Sequence, residues 1–213
     1  MKKAQPPRSI VYVVDDDVSV RNSLSNLFRS VDLPVDVFDS PASFLQRKLP
    51  EVASCLVLDI RMPGSSGLDF QTELRNGGVK IPIIFLTGHS DVKMSVQAMK
   101  AGAIDFLTKP YRDQDILDAV VAALERDRKR RENDIAASDL RARFETLSKR
   151  EQEIMALVTS GLMNKQAAAK TGISETTVKI HRANVMQKMR AKSFAELVRM
   201  ADTLRIRREE AHR

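Results

Sequence analysis

The 213 residues carry 35 Lys+Arg against 28 Asp+Glu, a formal net charge of +7, with 43% hydrophobic residues and one cysteine. This composition suits one large or two small soluble domains, and it excludes an internal disulfide and any apolar run long enough to span a bilayer. The opening MKKAQPPRS lacks the apolar region of a secretory signal, so a cytoplasmic protein with no membrane partner is expected.

Two distributions divide the chain. All eight prolines lie at or before Pro110, and neither proline nor glycine occurs between Pro110 and Gly161. Residues 1 to 125 carry 14 Lys+Arg against 16 Asp+Glu, a net of −2, whereas residues 126 to 213 carry 21 against 12, a net of +9. The basic half points to a nucleic-acid or acidic-surface partner.

In the first half, short β-rich runs recur: IVYVV (10 to 14), PVDVF (34 to 38), CLVLD (55 to 59), PIIFL (82 to 86) and AIDFL (103 to 107). Segments with helical spacing separate them, such as Val20, Leu24, Leu27, Phe28 and Val31. Alternation of this kind predicts a five-stranded, doubly wound parallel sheet whose site lies at the carboxyl ends of the strands. Cys55 falls inside one strand and reads as a small buried hydrophobe. His89, His181 and His212 have no zinc spacing.

The strand ends are chemically distinctive. The first stops at Asp15, Asp16 and Asp17, the third at Asp59, the fourth at Thr87 and the fifth at Lys109 and Pro110. Carboxylates stacked at one edge repel unless a cation compensates them, and a hard divalent ion such as Mg²⁺ suits oxygen donors. Lys109 and Thr87 supply the charge and hydroxyl needed to hold phosphoryl oxygens, and an aspartate beside a metal can attack phosphorus. Taken singly, Lys109 reads as a surface lysine, Thr87 as a turn former and Pro110 as a helix stop; together, at four strand ends, they do not.

The combination of DD, VLDIRMPGSSG, LTGH and LTKP resembles the receiver domain of two-component response regulators over about the first 125 residues. That resemblance implies that Asp59 accepts a phosphoryl group from a cognate sensor histidine kinase. It implies that Asp16, Asp59 and the backbone carbonyl of Arg61 ligate Mg²⁺, with Asp15 acting through water. It further implies that Thr87 and Lys109 bind the phosphoryl oxygens before a cis Pro110, and that Phe106 is the aromatic that turns inward on activation. Core packing is the alternative for Phe106. Asp17 is left to begin the first helix, and Gly64 and Gly67 fit turns that glycine enters cheaply.

From Asp113 to about Arg131 the sequence can continue as one helix, but apolar spacing stops at Leu124. Residues 126 to 145 therefore read as a helical linker, either a solvated helix or a partly flexible joint, with a dimerising coiled coil as the lesser alternative. Beyond it, residues 146 to 213 predict an all-α unit of four helices. Ser148 with Glu151 and Ser193 with Glu196 have capping-box spacing, and Gly161 and Gly172 mark helix ends.

NKQAAAKTGISETTVKIHRANVMQKM has the form of a helix-turn-helix. Val178, Val185 and Met189 form a buried stripe, while Thr176, Lys179, Ile180, Ala183 and Gln187 fall mainly away from it. His181 sits near the boundary and reads as packing. ANVMQKM followed by KS and ELV resembles LuxR/NarL-type output domains, and the whole chain resembles regulators of the FixJ type. Lys165, Thr176, Thr177, Lys179, Ile180, Arg182 and Ala183 are then the candidate DNA contacts. NarL-like relatives carry a basic residue where this chain has Ala183. The resemblance implies a transcription factor and not an enzyme, with duplex operator DNA, RNA polymerase and, after phosphorylation, a second copy of the chain as partners. A Mg²⁺-dependent aspartate phosphatase and an unphosphorylated interaction module are the competing readings.

Overall fold

In the computed structural model the described residues are 9–88 and 92–206. The amino-terminal MKKAQPPR, His89 of the LTGH motif and His212 lie outside them. The chain forms two compact units, residues 1–131 and 132–213.

The first unit is a five-stranded parallel sheet in the order β2-β1-β3-β6-β7, built from β1 (Ser9–Val14), β2 (Val35–Phe38), β3 (Ala53–Asp59), β6 (Ile83–Thr87) and β7 (Asp105–Thr108). A short antiparallel pair, β4 (Arg61–Met62) and β5 (Ser65–Ser66), follows β3. Alternate strand residues feed two cores. Tyr12, Leu56, Leu58 and Phe85 pack on one face with Phe44 and Phe70, and Val11, Val13, Val57, Ile84 and Leu86 pack on the other with Leu24, Phe28, Ile116 and Val120. Burial on both faces explains why these strands are nearly continuous in Val, Ile and Leu. Phe28 is fully buried, and its truncation to alanine is worth about 3–5 kcal/mol. Cys55 is buried as expected, and burial pushes its thiol well above the ordinary range.

Helices α1 (Val18–Ser30), α2 (Pro41–Leu45), α3 (Gly67–Asn76), α4 (Val92–Lys100) and α5 (Asp113–Glu145) connect or follow these strands. β7 starts later than the apolar run AIDFL, because the Ala103 and Gly102 N–H groups are spent closing α4 on the carbonyls of Ala98 and Met99. Gly64 has φ +77°, as its turn requires, but Gly67 does not adopt a left-handed conformation. A Cβ at Gly67 would stand 2.6 Å from the Asp59 carbonyl oxygen, so close backbone approach fixes this glycine.

The first unit reaches Arg131 rather than residue 125, and a buried carboxylate is the reason. Asp127 is fully buried; it accepts the Ser54 N–H at 3.0 Å and pairs with Arg130 at 2.7 Å and Arg131 at 2.6 Å. Asp127, Arg130 and Arg131 thus tie this stretch to the start of β3 while Arg126, Arg128 and Lys129 stay exposed, and 126 to 145 are helical throughout.

The second unit holds α6 (Lys149–Thr159), α7 (Asn164–Thr171), α8 (Glu175–Met189) and α9 (Phe194–Thr203), with Leu140 and Phe144 of α5 packed against Leu147, Met155, Val185, Met189 and Leu197. Ser148 and Glu151 form the expected capping box. At α9 only half of it forms: Ser193 accepts the Glu196 N–H, but the Glu196 carboxylate takes the Lys192 N–H instead. Gly161 and Gly172 have φ +100° and +67° at the ends of α6 and α7.

Candidate functional site: an acidic pocket and a helix-turn-helix

The end of β1 delivers Asp15 and Asp16, the end of β3 delivers Asp59, and β7 leads into Lys109. One carboxylate oxygen from each of the three aspartates lies within 4.8 Å of the others. Asp15 and Asp59 are buried, whereas Asp16 is exposed. The Lys109 Nζ stands 2.7 Å from Asp15 Oδ2 and 3.4 Å from Asp59 Oδ1. Asp15 Oδ1 accepts the Asp17 N–H at 3.0 Å, so both oxygens of Asp15 are engaged. Asp17 caps α1, accepting the Ser19 N–H at 2.7 Å.

The electrostatics follow from burial among like charges. Burial pushes the Asp59 carboxyl above the ordinary range; Lys109 pulls against it and Asp15 adds to it. Burial alone would lower Lys109, but its hydrogen bond and charge pairing with Asp15, reinforced by Asp59, hold the ammonium above its usual value. The cluster is a hard-oxygen donor set with more negative charge than one lysine offsets, which fits a divalent cation.

Thr87 is buried at the end of β6, and its carbonyl accepts the Lys109 N–H at 2.6 Å. The Lys109–Pro110 peptide is cis. Phe106 is half-buried and packs against the core that contains Phe85. Arg61, exposed in β4, pairs across to Ser66. The sequence reading missed Arg21, whose Nη1 donates to the carbonyls of Asp15 at 2.7 Å and Asp16 at 2.9 Å. Its signal was positional: helical side chains slant toward the amino terminus, so the fourth residue of α1 can reach back past the cap.

In the second unit, α7 and α8 form the helix-turn-helix. Val178, Val185 and Met189 are fully buried, and Lys165, Thr176, Lys179, Ile180 and Ala183 are exposed. Ile180 is 56% exposed, on the outward face of α8 with Lys179 and Ala183. Lys179 pairs loosely with Glu175 at 3.2 Å. Thr177 is drawn into the helix cap, its hydroxyl 2.8 Å from that of Ser174. Arg182 is half-buried, with its guanidinium 4.4 Å over the Phe194 ring and a 3.2 Å hydrogen bond to Asn164. His181 is half-buried, with Nδ1 sealed from solvent.

A parallel sheet with an acidic carboxyl edge, joined to a helix-turn-helix, defines a signal-receiving DNA-binding regulator. Residues 11–121 match the response regulator receiver domain, and residues 145–201 match the luxR family of bacterial regulatory proteins. The chain is 61% identical over 199 residues to nodulation protein W of Bradyrhizobium diazoefficiens, covering 93% of this chain and 88% of that one. It is 45% identical over 196 residues to the transcriptional regulatory protein FixJ of Azorhizobium caulinodans, covering 92% and 93%. Among solved structures, the response regulator StyR is similar with a TM-score of 0.81 at 47% identity, covering 92% of this chain and 98% of that one. Full-length FixJ from B. japonicum is similar with a TM-score of 0.57 at 38% identity, covering 93% and 98%. The protein belongs to the two-component response regulators with a receiver domain and a LuxR-type DNA-binding domain. It is a transcription regulator and not an enzyme. Among the described residues, no helix is long and apolar enough to cross a membrane.

Proposed function

We propose that this regulator is switched by phosphorylation of Asp59 by a cognate sensor histidine kinase. The observation that carries this reading is the convergence of Asp15, Asp16, Asp59 and Lys109 at one sheet edge, with Lys109 reaching both buried carboxylates. In the transfer, a carboxylate oxygen of Asp59 bonds to phosphorus as the P–N bond to the kinase histidine breaks, and the bonding pair returns to the imidazole nitrogen. Mg²⁺, when bound, neutralises charge on the phosphoryl oxygens. Asp16, Asp59 and the Arg61 carbonyl are its proposed direct ligands. Asp15 acts through water, a role supported by the engagement of both its oxygens. Lys109 can exchange its bond to Asp15 for one to the phosphoryl group, Thr87 supplies a hydroxyl, and Phe106 is the aromatic available to repack as Thr87 moves.

The output unit binds duplex operator DNA through the outward face of α8. Exposure favours Lys165, Thr176, Lys179, Ile180 and Ala183 for phosphate and base-edge contact. Thr177 and Arg182 hold the reading head in shape and reach DNA only by releasing Ser174 or Asn164. The phosphorylated chain acts as a homodimer, in the cytoplasm where operator and RNA polymerase meet. The test is incubation with acetyl phosphate and Mg²⁺ followed by intact-mass measurement. One added phosphoryl group is expected on the wild type and none on Asp59→Asn; a phosphorylated Asp59→Asn overturns the assignment.

A further inference from the structure

Three carboxylates follow β1 with no basic residue among them, yet the backbone that carries them is held by a cation. Arg21 Nη1 donates to two successive carbonyls, Asp15 O at 2.7 Å and Asp16 O at 2.9 Å. Neither bond reaches a carboxylate. These carbonyls belong to the peptide units on either side of the Asp16 Cα, so the contact fixes the direction in which the exposed Asp16 side chain leaves the backbone. One other hydrogen bond spans Asp16, from the Asp17 N–H to Asp15 Oδ1 at 3.0 Å, and it leaves the two carbonyls to Arg21; further out, the Asp15 N–H bonds to the Phe38 carbonyl at 3.2 Å and the Arg21 N–H to the Asp17 carbonyl at 3.1 Å.

We infer that Arg21 is a positioning residue for the divalent cation, setting the geometry of Asp15 and Asp16 from behind. The inference rests on the reading of the acidic cluster as a metal site. Arg21 has two opposing effects on such a site. As a charge it repels a second cation, so its removal should tighten metal binding. As a brace it holds the donors in place, and loss of an outer partner of this kind weakens metal binding about tenfold to a hundredfold. The contact to two carbonyls, with none to a carboxylate, makes the brace the larger effect. The sign of the change therefore identifies the role.

The experiment is calorimetric titration of Mg²⁺ into the unphosphorylated full chain. Arg21→Met keeps an unbranched stem without donor or charge, and Arg21→Gln keeps helix propensity but loses the reach to both carbonyls. Asn22→Ala, at an exposed neighbour on the same helix, is the control. Far-UV circular dichroism in EDTA establishes that each variant is folded, and either folded Arg21 variant is sufficient. The expected result is a dissociation constant about ten to a hundred times higher in the Arg21 variants and unchanged in the control. Mg²⁺ binding in an Arg21 variant as tight as in the wild type, or tighter, overturns the positioning role and leaves the metal site standing. A wild type that binds no Mg²⁺ overturns the metal reading itself, and the role of Arg21 with it.

Discussion

Gly67 and Glu151 show how one residue can be fixed by close contact or by charge. Gly67 lies where a Cβ would meet the Asp59 carbonyl oxygen at 2.6 Å and the Ile60 Cα at 3.0 Å, both backbone atoms that cannot swing aside. Gly67→Ala should therefore cost about 1–3 kcal/mol in urea unfolding and slow phosphorylation, because the strain falls on the acceptor's own peptide. Gly64→Ala meets no neighbour but must keep φ +77°, so a loss of about 1–2 kcal/mol with a normal phosphorylation rate is expected. Glu151 is buried and held below the usual glutamate range by the Lys188 ammonium 2.7 Å away, helped by the Ser148 N–H. A depressed folded value stabilises the protein above the unfolded glutamate value, and that contribution is lost as pH falls through the folded one. Amide exchange across α6 should show the advantage of wild type over Glu151→Gln at neutral pH shrinking as the solution is acidified through that window. A constant difference would assign the effect to packing rather than to charge.

Helix α5 makes the same point for an element, because its function in the fold is hidden in a charged run. Asp127 stands among arginines in RDRKRREND, a stretch that reads as solvated, yet it is fully buried and receives the Ser54 N–H at 3.0 Å. Asp127→Ala leaves that strand N–H unpaired and should destabilise the first unit by about 1–3 kcal/mol in denaturant, with Asp127→Asn milder because its amide oxygen still accepts. Equal stability of wild type and Asp127→Ala would mean that α5 is held by Ile116, Val120 and Leu124 alone. What the sequence disclosed and what it hid divide along the same line. Strands built from continuous runs of Val, Ile and Leu, and the acidic, hydroxyl and lysine residues at their ends, were legible because apolar runs and their terminators share one chain segment. Arg21 and Asp127 were harder to read, since each acts on main-chain atoms outside the fixed spacing of a helix cap: Arg21 reaches back over the cap to two carbonyls, and Asp127 meets the Ser54 N–H 73 residues away. The Glu196 half of the second capping box departs from its pattern because the Lys192 N–H, four residues back, competes with that of Ser193, three residues back.

At the scale of the whole molecule, the proposed switch requires one phosphoryl group on the first unit to change the grip of the second on DNA. On the proposed reading, phosphate on Asp59 adds negative charge and strong acceptors beside Thr87 and Lys109 and frees Lys109 from Asp15, and the adjoining β7 face with Phe106 can repack. That face then pairs with its copy. Two helix-turn-helix units joined in this way occupy half-sites set by the helical repeat, and their binding rises through effective concentration with no new base contact. Shifting a population from 1:99 to 99:1 needs about 5.5 kcal/mol of state preference, which an acyl phosphate acting together with dimerisation can supply and an exposed ion pair cannot. DNA binding by either form should fall steeply with salt, and Lys179→Ala should cost about 1–3 kcal/mol at a specific site if the lysine reads a base. Asp59→Asn should fold, remain monomeric with acetyl phosphate, and show no gain in operator affinity, whereas wild type gains both. Light scattering and DNA titration with and without the phosphodonor measure the two responses separately. Equal dimerisation by the mutant would move control of assembly away from Asp59 and toward the 126 to 145 segment of α5, where Ile135 is 70% exposed.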